Sequence, residues 1–442
     1  MLTGNNENGV LGDGYDRDNV MVPLMTHDWD DGGATLGNGM FGWIGEDARV
    51  DPDVGPTDAN VRAGQAAFGL TQLLSSTETE GGTSPFERWL DMGEGKESDA
   101  LGQVNPELTR SMATALEPYV GKMVGMTDDL SGTVGFGDTP TLDREVFDSP
   151  IEATRVMTVL NTDLQAGTII NAAALAESMR MDSIFATDEA GDGMGRSRGG
   201  QYANRLTWLV NEGIGASLGE LQGDYDKLAA DQQARYNTAY TAAQIMVGGL
   251  ATPSGLPVGA MVASASEFVK NDFIEVQPQE AGRAPQLEFR NPNGVTLDYN
   301  STTFGTEEHR QFAMVETLVK QGAIDVNTLP DQFVHRFQAD DGSTSAVILK
   351  SFTEYNQAIG DMPYGAEDSG ETVRSVLTDA GIDKDRLKEY LGNANHGTDR
   401  DAYTKLTRPG NLSYKDSVDD VLASTDAAEA GNNTWINHSS EE

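Results

Sequence analysis

Apolar residues recur every three or four positions along much of this chain, in segments that open on a cap and close at a proline or a polar break. Asn105-Pro106-Glu107 begins one of them, with Leu108, Met112, Leu116 and Tyr119 on a common helical face. Asparagine suits an N-cap, and proline at the first helical position gives up an N–H that is unpaired anyway. Pro118 bends or ends this helix. Ser149-Pro150-Ile151-Glu152 is a capping box with proline at its first turn, leading into Val156, Val159 and Leu160. The pattern breaks at Asn161-Thr162-Asp163 and restarts as "LQAGTIINAAALAESM". Further helices are expected near 58–75, 202–212, 224–249, 256–271 and 306–321, with shorter ones at 370–380, 383–391 and 413–424. In 224–249 the stripe of Tyr225, Leu228, Gln232, Tyr236, Tyr240 and Ala243 reads as core.

The period changes between 272 and 305. Leu287 and Phe289 alternate with polar residues, Asn291-Pro292-Asn293-Gly294 makes a turn, and Val295, Leu297 and Tyr299 alternate again. Period two on both sides of Asn-Gly predicts one β-hairpin. The expected fold is therefore mainly α: an irregular multi-helix bundle with one β-hairpin and a small C-terminal helical or mixed domain. The boundaries that follow are a helical domain over 1–275, a linker with the hairpin over 276–305, a mostly helical domain over 306–424 and a flexible polar tail over 425–442.

Seventy acidic residues against 30 basic ones leave a net charge of -40 on 442 residues. Nucleic acids and anionic lipids are held through Lys and Arg, so this field argues against both as partners. It suits salt adaptation or an extracellular life. Cysteine is absent, which excludes disulfides, thiolate metal sites and cysteine nucleophiles. The first ten residues lack the basic and apolar regions of a secretory signal. The most apolar stretch, Thr241 to Val269, is divided by Pro253 and Pro257. Each half falls short of the roughly 20 apolar residues a bilayer requires, so no stable membrane span is expected.

The segments "THDWDDGGATLGNGMFGWI", "RAGQAAFGLTQLL", "NPELTRSMATALEPYVGKMVG", "VLNTDLQAGTIINAAALAE", "LTWLVNEGIGASLGEL" and "ARYNTAYTAAQIMVGGL" through "ASEFVKNDFI" resemble, in this order, a helical region of actinobacterial proteins. Those proteins accompany type VII (ESX-type) secretion loci, and the region is sometimes labelled a TPR-repeat region. The resemblance covers roughly residues 20 to 275. No period of about 34 residues recurs, so a regular solenoid is not expected. In such proteins the region follows an N-terminal helical domain, whereas this chain starts almost on it, as a short member or a fragment would. Trp43-Ile44-Gly45 also matches the bare Trp-x-Gly of small type VII substrates. The resemblance implies a secreted or cell-envelope protein, with the cytoplasm as the other location, and it carries over no catalytic residue.

The stretch that looks most like chemistry is His27-Asp28-Trp29-Asp30-Asp31, with Trp43 downstream. An EF-hand loop needs oxygen ligands at its first, third and fifth positions and a glutamate at its twelfth. Counting from Asp28 puts Gly32 fifth and Gly39 twelfth; counting from Asp188 puts Ala190 third and Gly199 twelfth. Both fail, although a looser calcium site at Asp28, Asp30 and Asp31 is the rival reading. The preferred one is structural: Asp30 or Asp31 caps a helix, and Trp29, Leu36, Phe41 and Trp43 anchor it. "GASLG" places Ser217 in a G-x-S-x-G pattern, which works as a nucleophile only between a buried strand and a helix. The helical spacing of "NRLTWLVNEGI" argues against that context, and Gly213 and Gly215 read as a helix end followed by a turn. The five histidines (His27, His309, His335, His396 and His438) show no i, i+3 or i+4 pair. A zinc site on one helix is thereby excluded, and His309 and His335 are expected on helix surfaces. "GDGMGRSRGG" lacks the strand and the Gly-Lys-Ser/Thr of a phosphate loop and reads as a plain loop carrying Arg196 and Arg198.

The expectation is a non-enzymatic helical interaction protein without catalytic, cofactor-binding or metal residues. Its partners would be proteins, secretion-system components among them. Rival classes are a toxin-like effector with its activity in 306–442, an acidic structural or virion protein of a salt-adapted source, and a serine hydrolase at Ser217.

Overall fold

The computed structural model describes residues 17–77, 83–92, 100–137, 150–187, 196–222, 235–236, 238–240, 242–243, 274–276, 287–289, 307–338, 344–350, 352–360 and 369–392. Their helices are α1 Arg17–Thr26, α2 Ala34–Glu46, α3 Asp58–Ser75, α4 Pro85–Leu90, α5 Leu101–Val104 and α6 Pro106–Leu116. The body continues with α7 Val120–Met123, α8 Asp128–Ser131, α9 Pro150–Leu160, α10 Leu164–Thr187 and α11 Arg196–Gln222. Later come α12 Glu307–Lys320, α13 Phe352–Gly360, α14 Ser369–Asp379 and α15 Lys384–Gly392. The strands are β1 Ile274–Val276, β2 Leu287–Phe289, β3 Val334–Gln338 and β4 Thr344–Leu349, so the protein is mainly α.

Local chemistry accounts for many of these ends. Thr57 and Asn60 close a reciprocal capping box at the start of α3, and Ser84 with Glu87 does the same for α4. After α6, Pro118 lies in a 3₁₀ turn over Glu117–Tyr119, as the sequence suggests. The break between α9 and α10 is buried yet satisfied. Asp163 accepts the Ala166 amide at 2.8 Å, and Arg110 donates to Asp163 through Nε at 2.9 Å and Nη2 at 3.1 Å. The amide of Gly102 donates to Thr162 Oγ1 at 3.0 Å, and Asn171 Nδ2 donates to Asn161 Oδ1 at 2.7 Å. The Ser149 half of the expected capping box and the helices expected at 256–271 and 413–424 lie outside the described residues. So do most of 224–249 and residues 191–195 of the loop read at 191–200, whereas Arg196 and Arg198, expected in that loop, lie in the first turn of α11.

Helix α10 is the axis of the body. From Ala166 to Ala186 nearly every side chain is buried, and α6, α7, α9, α11 and α12 pack around it. A helix buried on all sides needs small or apolar residues all round, which "AGTIINAAALA" supplies. Glycines set the closest approaches. A Cβ on Gly213 of α11 would stand 2.5 Å from Met157 Cβ of α9, and one on Gly37 of α2 would stand 2.4 Å from Ser111 Oγ of α6. Gly213 therefore packs mid-helix and ends nothing: α11 runs straight through it and Gly215 to Gln222, where the sequence suggested a cap and a turn.

The strands revise one pairing. β2 is where alternation placed it, but it pairs antiparallel with β1, Ile274 opposite Phe289 and Val276 opposite Leu287. The partner expected at 295–299 lies outside the described residues. Short alternation marks a strand without naming its neighbour. β3 and β4 form a second antiparallel pair, with Val334 opposite Leu349 and Phe337 opposite Ala346. One apolar cluster crosses the expected boundary at 276–305. Phe312, Val315, Phe333, Tyr355, Leu377 and Leu387 belong to the same core as Phe41, Leu116 and Leu175.

Candidate functional site

The stretch from His27 to Asp31 links α1 to α2 and is pinned by Asn105, whose side chain is fully buried. Asn105 Nδ2 donates to the carbonyls of Met25 at 3.0 Å and His27 at 2.7 Å, and its Oδ1 accepts the Trp29 amide at 3.2 Å. The residue expected as an N-cap thus makes no cap bond to its own helix and clasps a distant loop. Asp31 does cap: its two oxygens accept the amides of Gly33 at 3.0 Å and Thr35 at 2.9 Å at the start of α2. Bonds from the Thr35 side chain and backbone, then from Gly33, hold its carboxyl below the ordinary range. Asp28 and Asp30 are exposed. Trp29 is half-buried, donates to the Leu24 carbonyl at 3.0 Å and meets the His27 ring edge-on at 4.6 Å.

The anchors divide. Phe41 is fully buried and Leu36 packs partly against the core, whereas Trp43 is 37% exposed and bonds only to the Met40 carbonyl of its own helix. Trp43 therefore sits at the edge of the α2–α6 contact and does not anchor it. Helix turn geometry decides this, because Phe41 and Ile44 take the inward positions. Among the described residues, no group of three or more His, Asp or Glu side chains is placed to hold a metal ion.

Ser217 lies within α11, fully buried, and donates to the Ile214 carbonyl at 3.0 Å. The sharp strand-to-helix turn that exposes a hydrolase serine is not its setting. Both described histidines beyond residue 300 also differ from expectation. His335 stands on β3, half-buried, with Nε2 at 3.2 Å from Glu354 Oε1. His309 is buried on the inner face of α12 between Tyr240 and Phe352, with ring centroids at 4.2 Å and 4.4 Å. Burial, then the neighbouring Arg310 charge, pulls its pKa down to about 3, so the imidazole is neutral at pH 7.

His309 borders a buried polar cluster assembled from four helices. Asp182 of α10 accepts Arg310 Nε of α12 at 3.0 Å, with a second bond from Arg310 Nη2. Tyr390 of α15 donates its hydroxyl to the same carboxylate at 2.8 Å, and Asn204 of α11 accepts from Arg310 Nη1. The Arg310 guanidinium also lies 5.5 Å over the Tyr390 ring, which stacks on Phe185 at 3.9 Å. Burial, reinforced by Asp182, raises the Tyr390 phenol well above its ordinary value and keeps it protonated as a donor. The adjoining cavity, bordered by Ser178, Asp182, Thr207, Tyr236, His309 and Arg310, is about 10 Å³, the size of one water. Asp182, Arg310, Tyr390 and Asn204 are bound to one another, so the cluster can hold helices together, and a cavity of this size has no room for a substrate. No signal in the sequence ties Asp182, Arg310 and Tyr390 together, since up to 208 positions separate them.

Comparison of the chain with family models, with curated proteins and with solved structures returns no match.

Proposed function

We propose that this protein is a non-enzymatic, helical interaction protein that works with the components of a type VII secretion system or in the cell envelope. One observation carries the interaction reading. Asp182, Arg310, Tyr390 and Asn204 spend their hydrogen bonds tying four helices together beside a cavity one water wide, while α2 leaves an aromatic residue and two bare glycines facing outward. Enzyme sites ordinarily occupy clefts of hundreds of cubic ångströms with a few free polar groups. The order of the helical segments, which resembles the secretion-associated region described above, supports the cellular setting. No described helix is long and apolar enough to cross a membrane.

The test is crosslinking of the tagged full chain in its native host, followed by identification of the joined proteins. Stoichiometric recovery of secretion-system components, lost when that system is inactivated, is the expected result. Turnover of an ester, peptide, phosphoester or glycoside by the purified chain would sink the reading, most directly if Ser217 were labelled by a fluorophosphonate probe.

A further inference from the structure

The interaction reading can be narrowed to one face of one helix. α2 carries five glycines or alanines in 13 residues, and its glycines fall into two sets. On the inner face, a Cβ on Gly37 would stand 2.4 Å from Ser111 Oγ, and one on Gly45 would stand 2.8 Å from the Thr114 carbonyl oxygen. Those glycines have a structural reason, because they let α6 approach closely. The outer set has none among the described residues. Among the described residues no atom comes within 4 Å of a Cβ built on Gly39 or on Gly42. Both sit in the helix interior, where glycine is less favourable than alanine. A local cost without a visible gain marks a place where something else decides the residue.

Beside these glycines runs a half-open apolar stripe. Leu36 and Met40 are only partly buried and Trp43 is 37% exposed, at the i, i+4 and i+7 spacing of one helical stripe. The charge around it is one-sided. From residue 27 to residue 58 the chain holds eight carboxylates against the single cation Arg49. Glu46 stands exposed at the C-terminal end of α2, and no basic residue occupies that last turn. The helix dipole is negative at the same end, so the two fields add and favour a cation.

We propose that the Gly39–Gly42–Trp43 face of α2 docks a basic, amphipathic helix of a protein partner. The bare glycines admit its backbone, as Gly37 and Gly45 admit α6. Trp43 with Met40 covers its apolar side, and its Lys or Arg residues lie toward Glu46. This rests on the interaction reading and adds the partner's chemistry. A second copy of the chain is disfavoured as the occupant because it would bring the same acidic surface against itself.

The probe is a fluorescein-labelled Lys/Leu amphipathic peptide of about 18 residues, five helical turns, titrated with the full chain at physiological salt. Saturable binding that falls by about tenfold or more in Gly39→Gln/Gly42→Gln and in Trp43→Ala is expected. A Glu/Leu peptide should not bind, and Asp379→Asn, on the distant α14, should leave the affinity unchanged. Gly39→Ala/Gly42→Ala guards against misfolding: with no described residue packed on this face it should raise the melting temperature of the free chain while still weakening the peptide. Unchanged peptide affinity in the glycine variants overturns the proposal. A fall in melting temperature would mean that another part of this chain covers the face, and a concentration-dependent dimer weakened by the same variants would mean a second copy does. Either result also overturns it. If a crosslinked host partner is retained by Gly39→Gln/Gly42→Gln, this surface fails while the interaction reading stands. If the wild-type chain captures none, both fail.

Discussion

Carboxylates serve opposite ends of the energy scale in two regions of this protein. Between α1 and α2, Asp28, Asp30 and Asp31 stay in water, and only Asp31 takes a defined role, at the helix start. Between α10, α11, α12 and α15, Asp182 is withdrawn from water and held by Arg310 and Tyr390. Screening makes the first arrangement weak and exchangeable; low polarity makes the second unforgiving, because each partner compensates a charge that would otherwise be stranded. The density of acidic residues in the sequence draws the eye to the first region. The strong coupling is in the second, built from residues that look ordinary where they occur.

The largest predicted effect breaks that buried pair. Arg310→Ala should cost about 3–5 kcal/mol in urea denaturation, since it leaves Asp182 buried without its cation. Asp182→Leu/Arg310→Met should cost distinctly less than either single change. If the double variant were the worse, the pair would be contributing net stability beyond mutual compensation. Next comes acid. His309 is neutral in the fold, with a pKa of about 3 against 6.5 when free, so below pH 6.5 the unfolded chain binds a proton that the folded chain refuses. Stability should therefore fall as pH drops from 6.5 toward 3, by up to about 4 kcal/mol from this group. His309→Gln should remove that part of the slope, and an unchanged slope would mean the ring is not sealed from water.

At the front region the effects should shrink. Asn105→Ala strands two carbonyls and an amide of the 25–29 loop and should cost about 1–3 kcal/mol, with faster hydrogen exchange confined to α1 and the start of α2. Asp31→Ala should lower the melting temperature only slightly. Because the folded carboxyl lies below its ordinary range, its contribution is present at neutral pH and lost as pH falls through its folded pKa. Calcium chloride should stabilise no more than sodium chloride at matched ionic strength. A calcium-specific rise abolished by Asp28→Asn/Asp30→Asn would turn this loop into a metal site and reverse the contrast between the regions.

Much of the helical layout was legible because its signals are local. The spacing that placed a helix over 58–75 coincides with Asp58–Ser75, and Asn161-Thr162-Asp163 does separate Pro150–Leu160 from Leu164–Thr187. Asp31 as a cap follows from the same short-range chemistry. The β3–β4 pair was also open to reading, since "VHRFQ" alternates and "AVIL" follows a polar turn, but a strand needs a partner and the sequence does not name one. Packing decided the remainder. Whether Gly213 ends a helix or lets α9 approach depends on Met157 standing opposite it. Whether His309 faces water depends on Tyr240 and Phe352, and no spacing along α12 records them. Trp43 and Phe41 are two residues apart and equally apolar, yet the turn of α2 against α6 buries one and exposes the other. Helix periods depend on neighbours within four residues, so the sequence alone determined them. The caps read at Asn105 and Gly213 gave way to contacts with distant parts of the chain. Burial, pKa and the Asp182–Arg310–Tyr390 cluster depend on groups that only the folded chain brings together, because desolvation and charge pairing act through space.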